Sequence, residues 1–189
     1  ELRRRKTALL PPLTSGYRLV HADADGLPGL VVDVYGERAA VFQIHTAGME
    51  QFRGMIIEAL AGLFKDAALV ERSDLEARRQ EGLEPRKARL HAGSLDGPVA
   101  FSENGLHFLA DLMQGQKTGF FLDQRDNRAR AGKLAARLPA DVHGPRTVGC
   151  EAEQVIVVPS PQQSEPGLVS CLVKMRQPGV GITMEIDHV

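Results

Sequence analysis

Residues Tyr17–His45, YRLVHADADGLPGLVVDVYGERAAVFQIH, decide the fold class. Tyr17-Arg-Leu-Val-His-Ala22 alternates in the manner of a strand, and turn residues at Asp25-Gly26 and Pro28-Gly29 break it. Leu30-Val-Val-Asp-Val-Tyr35 reads as a second strand, Gly36-Glu-Arg38 as a turn, and Ala39–His45 as a third strand. A meander of three short strands excludes an all-helical fold.

Outward from this core, residues 1–10 read as the end of a basic helix carrying Arg3, Arg4, Arg5 and Lys6, stopped by Pro11-Pro12. On the other side, Phe52, Met55, Ile56, Ala59, Leu60, Leu63 and Phe64 recur at three and four, which predicts a helix with one apolar stripe. Ala68–Glu71 reads as a short strand, and Arg72–Arg89 as a charged loop or short helix. Residues 98–103 and 106–111 flank Asn104-Gly105, the preferred pair for a type I′ hairpin turn, where both central residues need positive φ. Helical spacing resumes over Asp123–Leu138, and Pro139 ends it. The tail from Pro145 holds five of the eleven prolines, with two apolar runs at 155–158 and 168–173. The expected fold is therefore α/β (α+β): a small mixed sheet of short strands with one or two packed helices, a strand-turn-helix lead-in, and an irregular tail. The expected division is 1–15 (end of a linker helix), 16–111 (central α/β domain), 112–144 (lead-in) and 145–189 (tail).

A hydrophobic content of 43% and a charged content of 25% over 189 residues are those of a globular domain with a real core. No run approaches the ~18 apolar residues of a membrane span, so no membrane partner is expected. Cys150 and Cys171 read as thiols of a reducing compartment, which makes the cytoplasm the expected location. No metal site is expected. His21, His45, His91 and His107 lack partner spacing, and Asp23, Asp25 and Asp33 read as turn residues.

The run Gly115–Arg128, GQKTGFFLDQRDNR, is the candidate functional motif. It is no phosphate loop, since Gln116 and Asp111 stand where GxxxxGK[ST] needs glycine, and the GxGxxG spacing is missing too. Its residues alone support a capped turn between strand and helix. Gly115 and Gly119 allow tight backbone, Phe120, Phe121 and Leu122 read as buried, and Asp123 is placed to cap the following helix.

Taken with Tyr17–Gly36, Ala47-Gly-Met-Glu50, Glu71-Arg-Ser-Asp74, Glu81-Gly-Leu83 and Glu103-Asn-Gly-Leu106, that motif resembles the S-adenosylmethionine (SAM)-dependent methyltransferases that modify cytosine C5 in large-subunit ribosomal RNA. Order and spacing match over residues 1–138. The resemblance implies a central α/β domain leading into a Rossmann-like catalytic domain. It also implies SAM as methyl donor, and a cysteine thiolate that adds to cytosine C6 and activates C5. The expected cofactor-binding residues are Gln116, Lys117, Thr118, Phe120, Phe121, Asp123, Gln124 and Arg125. No catalytic residue is carried onto Cys150 or Cys171, whose surroundings do not match the family's motif. The tail lacks the expected glycine-bearing loop, so a fragment inactive by itself, with weak or no SAM binding, is the expectation.

Basic residues point to RNA on their own. Arg3–Lys6, Arg78, Arg79, Arg86 and Lys87, and Arg128, Arg130 and Lys133 are candidates for following a phosphate backbone. For the Arg78–Arg89 block a solvated loop or short helix is the favoured reading over a binding patch. A non-catalytic RNA-binding or assembly module, and a chain that chiefly self-associates as a homo-oligomer, remain alternatives.

Overall fold

The computed structural model describes residues 1–115 and 117–135, together with the strands 155–157, 171–176 and 183–188; side chains are described up to residue 130. The elements, in order, are α1 (Leu2–Ala8), β1 (Gly16–His21), β2 (Leu30–Tyr35), β3 (Ala39–Ile44), α2 (Ala47–Glu50), α3 (Arg53–Leu63), β4 (Ala68–Glu71), β5 (Arg89–Ala92), β6 (Val99–Glu103), β7 (Leu106–Ala110), α4 (Arg125–Ala135), β8 (Val155–Val157), β9 (Cys171–Arg176) and β10 (Thr183–His188).

Strands β1 to β5 form one sheet in sequence order, antiparallel throughout except for the parallel β3–β4 pair, which α3 connects. Every residue of β2 and β3 is buried, because both faces of the sheet are covered. One face carries Val32, Val34, Phe42, Ile44 and Leu69 against Leu60 and Phe64 of the α3 segment. The other carries Tyr35, Val41 and Val70 against Phe101, Phe108 and Phe120, so the β6–β7 hairpin and the motif loop roof it. This mixed sheet with few helices is the fold class expected from the strand pattern. The hairpin turns at Asn104 (φ 52) and Gly105 (φ 80), the two left-handed positions a type I′ turn requires.

The structure corrects several expectations. The buried face of α3 comprises Ile56, Leu60 and Phe64, while Phe52, Met55 and Leu63, 53%, 67% and 45% exposed, lie outside it. Two apolar rows run side by side on this helix, and the sheet takes only one. Asp33 is no turn residue; it stands in the middle of β2 and is fully buried. Asp123 does not cap α4, because a 3-10 turn over Leu122–Gln124, closed by Gln124 N–H to Phe121 O at 3.1 Å, leads into the helix instead. Strand β5 emerges from the charged block that read as loop or helix, and Glu76–Glu81 within that block forms a 3-10 turn. In the tail, β8 pairs antiparallel with β7, and β9 with β10. The rest of the tail, including Cys150, and the end of the lead-in, including Pro139, lie outside the described residues.

Candidate functional site

The motif Gly115–Arg128 is fastened at three places by buried polar groups: to β2 of the central sheet, to Arg72 just after β4, and to β6 of the hairpin that roofs the sheet. The first fastening is Thr118, fully buried, whose hydroxyl donates to Asp33 Oδ2 at 2.6 Å. Tyr35 Oη lies 3.1 Å from the same hydroxyl oxygen. Burial above all, and the neighbouring Asp33 charge, push the Tyr35 phenol far up, so it stays protonated and donates to Thr118. Arg18 closes the chain with a two-pronged pair to Asp33, Nε to Oδ1 at 2.8 Å and Nη2 to Oδ2 at 2.9 Å. The hydrogen bond to Asp33 holds the Arg18 guanidinium above its ordinary range even though burial pulls it down. An isolated carboxylate in a sheet interior would be too costly to ionise. Here two cationic N–H groups and one hydroxyl meet it.

The second fastening is Arg72, which donates to Leu112 O at 3.1 Å and Gly115 O at 2.7 Å while pairing with Asp74 at 3.1 Å. The third is Arg128, whose Nε and Nη2 meet Glu103 at 2.7 and 2.6 Å and whose Nη1 donates to Phe121 O at 2.8 Å. Its guanidinium also lies 4.5 Å from the centre of the Phe120 ring. Phe120 packs edge-on to Phe101 at 4.8 Å and to Phe108 at 5.1 Å. Burying such a ring is worth roughly 1.5–3 kcal/mol. Glycine is required at Gly119, where φ is +111° and an added Cβ would meet Asp111 O and Leu112 Cδ2, each at 2.9 Å.

The other runs that carried the resemblance meet around the same frame. Glu71 accepts two bonds from Arg53 (3.1 and 2.6 Å) and lies 2.8 Å from His91 Nε2. Burial pushes the Glu71 carboxyl up, but these bonds prevail and hold it below its usual range. Ser73 Oγ accepts from Ile44 N–H at 3.1 Å. Glu50 pairs with Arg78 at 2.9 Å and Arg86 at 2.7 Å, and Glu81 accepts from Ala47 N–H at 3.3 Å.

These placements sort the expected site residues. Thr118 and Phe120 lie wholly inside and have no surface for a cofactor, because they serve the fold. Lys117 is exposed, in a left-handed conformation (φ 54), with Nζ 4.1 Å from the Phe121 ring centre. Gln124 accepts from Asn127 at 2.7 Å. Asp123 and Arg125 face a cleft of about 300 Å³ between α1, β1 and the 3-10 turn, walled also by Lys6, Arg18, Leu10 and Leu122. Gln116 lies outside the described residues. Of this set the cleft takes Asp123 and Arg125.

The RNA candidates divide likewise. Arg78 is 1% exposed and is consumed by Glu50, Glu84 O and Ile44 O. Arg128, 8% exposed, is held by Glu103 and Phe121 O, so both guanidiniums are committed to the interior rather than presented to a phosphate. Arg79 pairs with Glu76 and Glu84, and Arg86 with Glu50. Lys87 and Arg130 are exposed and have no ion pair among the described residues, and the side chain of Lys133 lies outside them. Two features escaped sequence reasoning: the Asp33–Thr118–Tyr35–Arg18 network and the cleft beside α1. A lone aspartate within an apolar strand, LVVDVY, is the one signal that marks the network beforehand.

No family model matches the chain. It is 44% identical over 120 residues to a protein of Shewanella denitrificans named ribosomal RNA large subunit methyltransferase I, covering 64% of this chain and 30% of that one. The protein of the same name from Aeromonas salmonicida is 45% identical over 122 residues, covering 65% and 31%, and that of Alteromonas mediterranea 42% over 141, covering 71% and 35%. The chain thus spans about a third of the length of these curated relatives. Among solved structures, one from Streptococcus mutans assigned as a SAM-dependent methyltransferase matches at 26% identity and a TM-score of 0.54, over 68% of this chain and 32% of that one. A second, assigned as a methyltransferase and complexed with SAH, matches at 26% identity and 0.53, over 68% and 31%. The resemblance read from the motif runs is borne out.

Proposed function

We propose that this chain, as a relative of ribosomal RNA large subunit methyltransferase I, belongs to a SAM-dependent methylation of large-subunit ribosomal RNA at cytosine C5, in the cytoplasm. The observation that carries the reading is the threefold fastening of Gly115–Arg128 to the central sheet and to the β6–β7 hairpin above it. The partners in that frame, Asp33, Arg72 and Glu103, belong to the very runs that resemble the family. Such a frame holds the segment that leads toward a following domain in one orientation.

The described residues do not form a complete place for SAM. A bound cofactor needs acceptors for its ammonium and ribose hydroxyls and a cation for its carboxylate, within one enclosed pocket. Asp123 and Arg125 offer one of each in the cleft against α1, but Lys117 takes no part in that cleft, and Thr118 and Phe120 are enclosed. No chemical step is therefore derived through the cofactor. Exposed Lys117 and Asp123, with half-buried Phe121, Gln124 and Arg125, are the residues from which a completed site would be built. What the described residues do is orient the motif and exclude water from its inner side.

The test is to delete the gene encoding this chain and map 5-methylcytidine in large-subunit ribosomal RNA by mass spectrometry. Loss of one methylated cytidine, restored by the intact gene, is expected. An unchanged methylation map overturns the reading and favours the second one, a non-catalytic RNA-binding or assembly module. The cleft beside α1, with Lys6, Arg18 and Arg125 against Asp123, is the feature that module would use.

A further inference from the structure

Four cations in a row, Arg3-Arg-Arg-Lys6, lie in α1. Cations in the last turn complement the helix dipole, which accounts for Arg5 and Lys6 but not for the whole run. Arg4 and Arg5 are exposed and have no carboxylate within ion-pair distance among the described residues. Lys6, fixed on Asp25 at 2.9 Å, carries the row into the cleft of about 300 Å³ already described. There Arg18 and Arg125 add two more cations, beside the single carboxylate of Asp123. Arg18 spends Nε and Nη2 on Asp33, leaving Nη1 without a hydrogen bond among the described residues. Arg125 Nε is buried without a partner, its nearest carboxylate being Asp126 at 3.7 Å. Leu9, 82% exposed, stands beside these cations, and Leu10 and Leu122 line the wall.

We infer that this cleft holds one unstacked nucleotide of single-stranded RNA, with Arg4 and Arg5 following the phosphates that lead into it. Arg125, with the free edge of Arg18, meets the ligand's oxygens, and the leucines cover one face of the base. A simple anion would need no apolar wall, and a duplex offers no free base face. About 300 Å³ lies at the small end of ligand-sized clefts, enough for one nucleotide unit but not for a helix. The Arg78–Arg89 block is the poorer candidate, because Glu50, Glu76 and Glu84 already engage three of its arginines. Because Arg18 is tied through Asp33 to Thr118, the nucleotide would rest against the network that anchors the motif. This inference rests on the proposed action on ribosomal RNA.

The test is fluorescence anisotropy of the full 189-residue chain with a labelled mixed-sequence single-stranded RNA, and with its duplex, across a salt series. Single strands are expected to bind at least about tenfold more tightly than duplex. The double variant Arg4→Ala/Arg5→Ala, which alters only exposed side chains, should lower the salt slope by about 1.4, roughly 0.7 per phosphate contact. Arg125→Ala should weaken binding about tenfold, and Arg125→Lys should keep the salt slope while losing the preference for single strands. Lys65→Ala, which alters an exposed cation that does not line the cleft, should bind like the parent. The inference is overturned if Lys65→Ala weakens binding as much as Arg125→Ala, if duplex binds as tightly as single strand, or if SAH displaces the RNA. RNA binding indifferent to all cleft variants would sink the cleft alone and leave the methylation reading standing. An unchanged methylation map after gene deletion would sink that reading separately.

Discussion

Replacing Arg128 by leucine removes the cation from a pair that water barely reaches, since Glu103 is 2% exposed. Two charge-assisted bonds of 2.7 and 2.6 Å are lost, together with the bond to Phe121 O. Their loss leaves the Glu103 carboxylate buried without a counter-charge. Breaking a buried pair from one side costs about 3–5 kcal/mol. Against a typical total stability of ~5–15 kcal/mol, that is a large fraction. With a urea slope near 2 kcal/mol/M, the unfolding midpoint should fall by about 1.5–2.5 M. The companion variant Arg128→Leu/Glu103→Leu removes both charges and should recover most of the loss, because the site is walled by Phe108 and Phe120. Urea titration followed by circular dichroism measures both. A single-variant shift below about 0.5 M, or a double variant no more stable than the single, would refute the assignment of Arg128 to the fold.

Three further outcomes follow from the same frame. Thr118→Val takes a donor from Asp33 and an acceptor from Tyr35 at nearly constant volume, and should cost about 1–3 kcal/mol in urea titration; a neutral result contradicts the network. Gly119→Ala should destabilise by more than ~1 kcal/mol, since φ +111° is hostile to a side chain and Asp111 O is in the way, whereas Gly62→Ala on exposed α3, where nothing lies within 4 Å of the added Cβ, should be neutral or stabilising. His45 has a lowered pKa, from burial first and then the Arg18 and Arg78 charges, so the unfolded chain binds its proton more readily. That contribution to stability is present above an ordinary histidine pKa of ~6.5 and is lost as pH falls through the lower folded value; thermal midpoints should drop on acidification below ~6.5, less steeply in His45→Gln.

What the sequence disclosed, and what it hid, follows from how far each interaction reaches along the chain. Strands β2 and β3 and the Asn104-Gly105 turn depend on neighbouring residues, so their pattern was legible. The face of α3 was not, because Phe52-Met55-Leu63 and Ile56-Leu60-Phe64 are equally good stripes until a sheet selects one. Arg78 and Arg128 read as surface cations because their partners, Glu50 and Glu103, lie 28 and 25 residues away. Asp33 needs Arg18 at 15 residues and Thr118 at 85 before its burial makes sense. In the candidate motif the importance of the run was visible as a resemblance. Its division into an inner side, Thr118, Phe120 and Arg128, and an outer side, Lys117, Asp123 and Arg125, required the fold.

The central claim is that the motif is held as firmly as the sheet beneath it. Amide hydrogen exchange of the full chain, read by mass spectrometry across residues 117–128, tests it most directly. The account predicts slow exchange approaching that of β2 and β3 in the parent, and faster exchange over this segment in Thr118→Val, Arg72→Ala and Arg128→Leu. Exchange in the parent as fast as in the loop over residues 94–97 would contradict it.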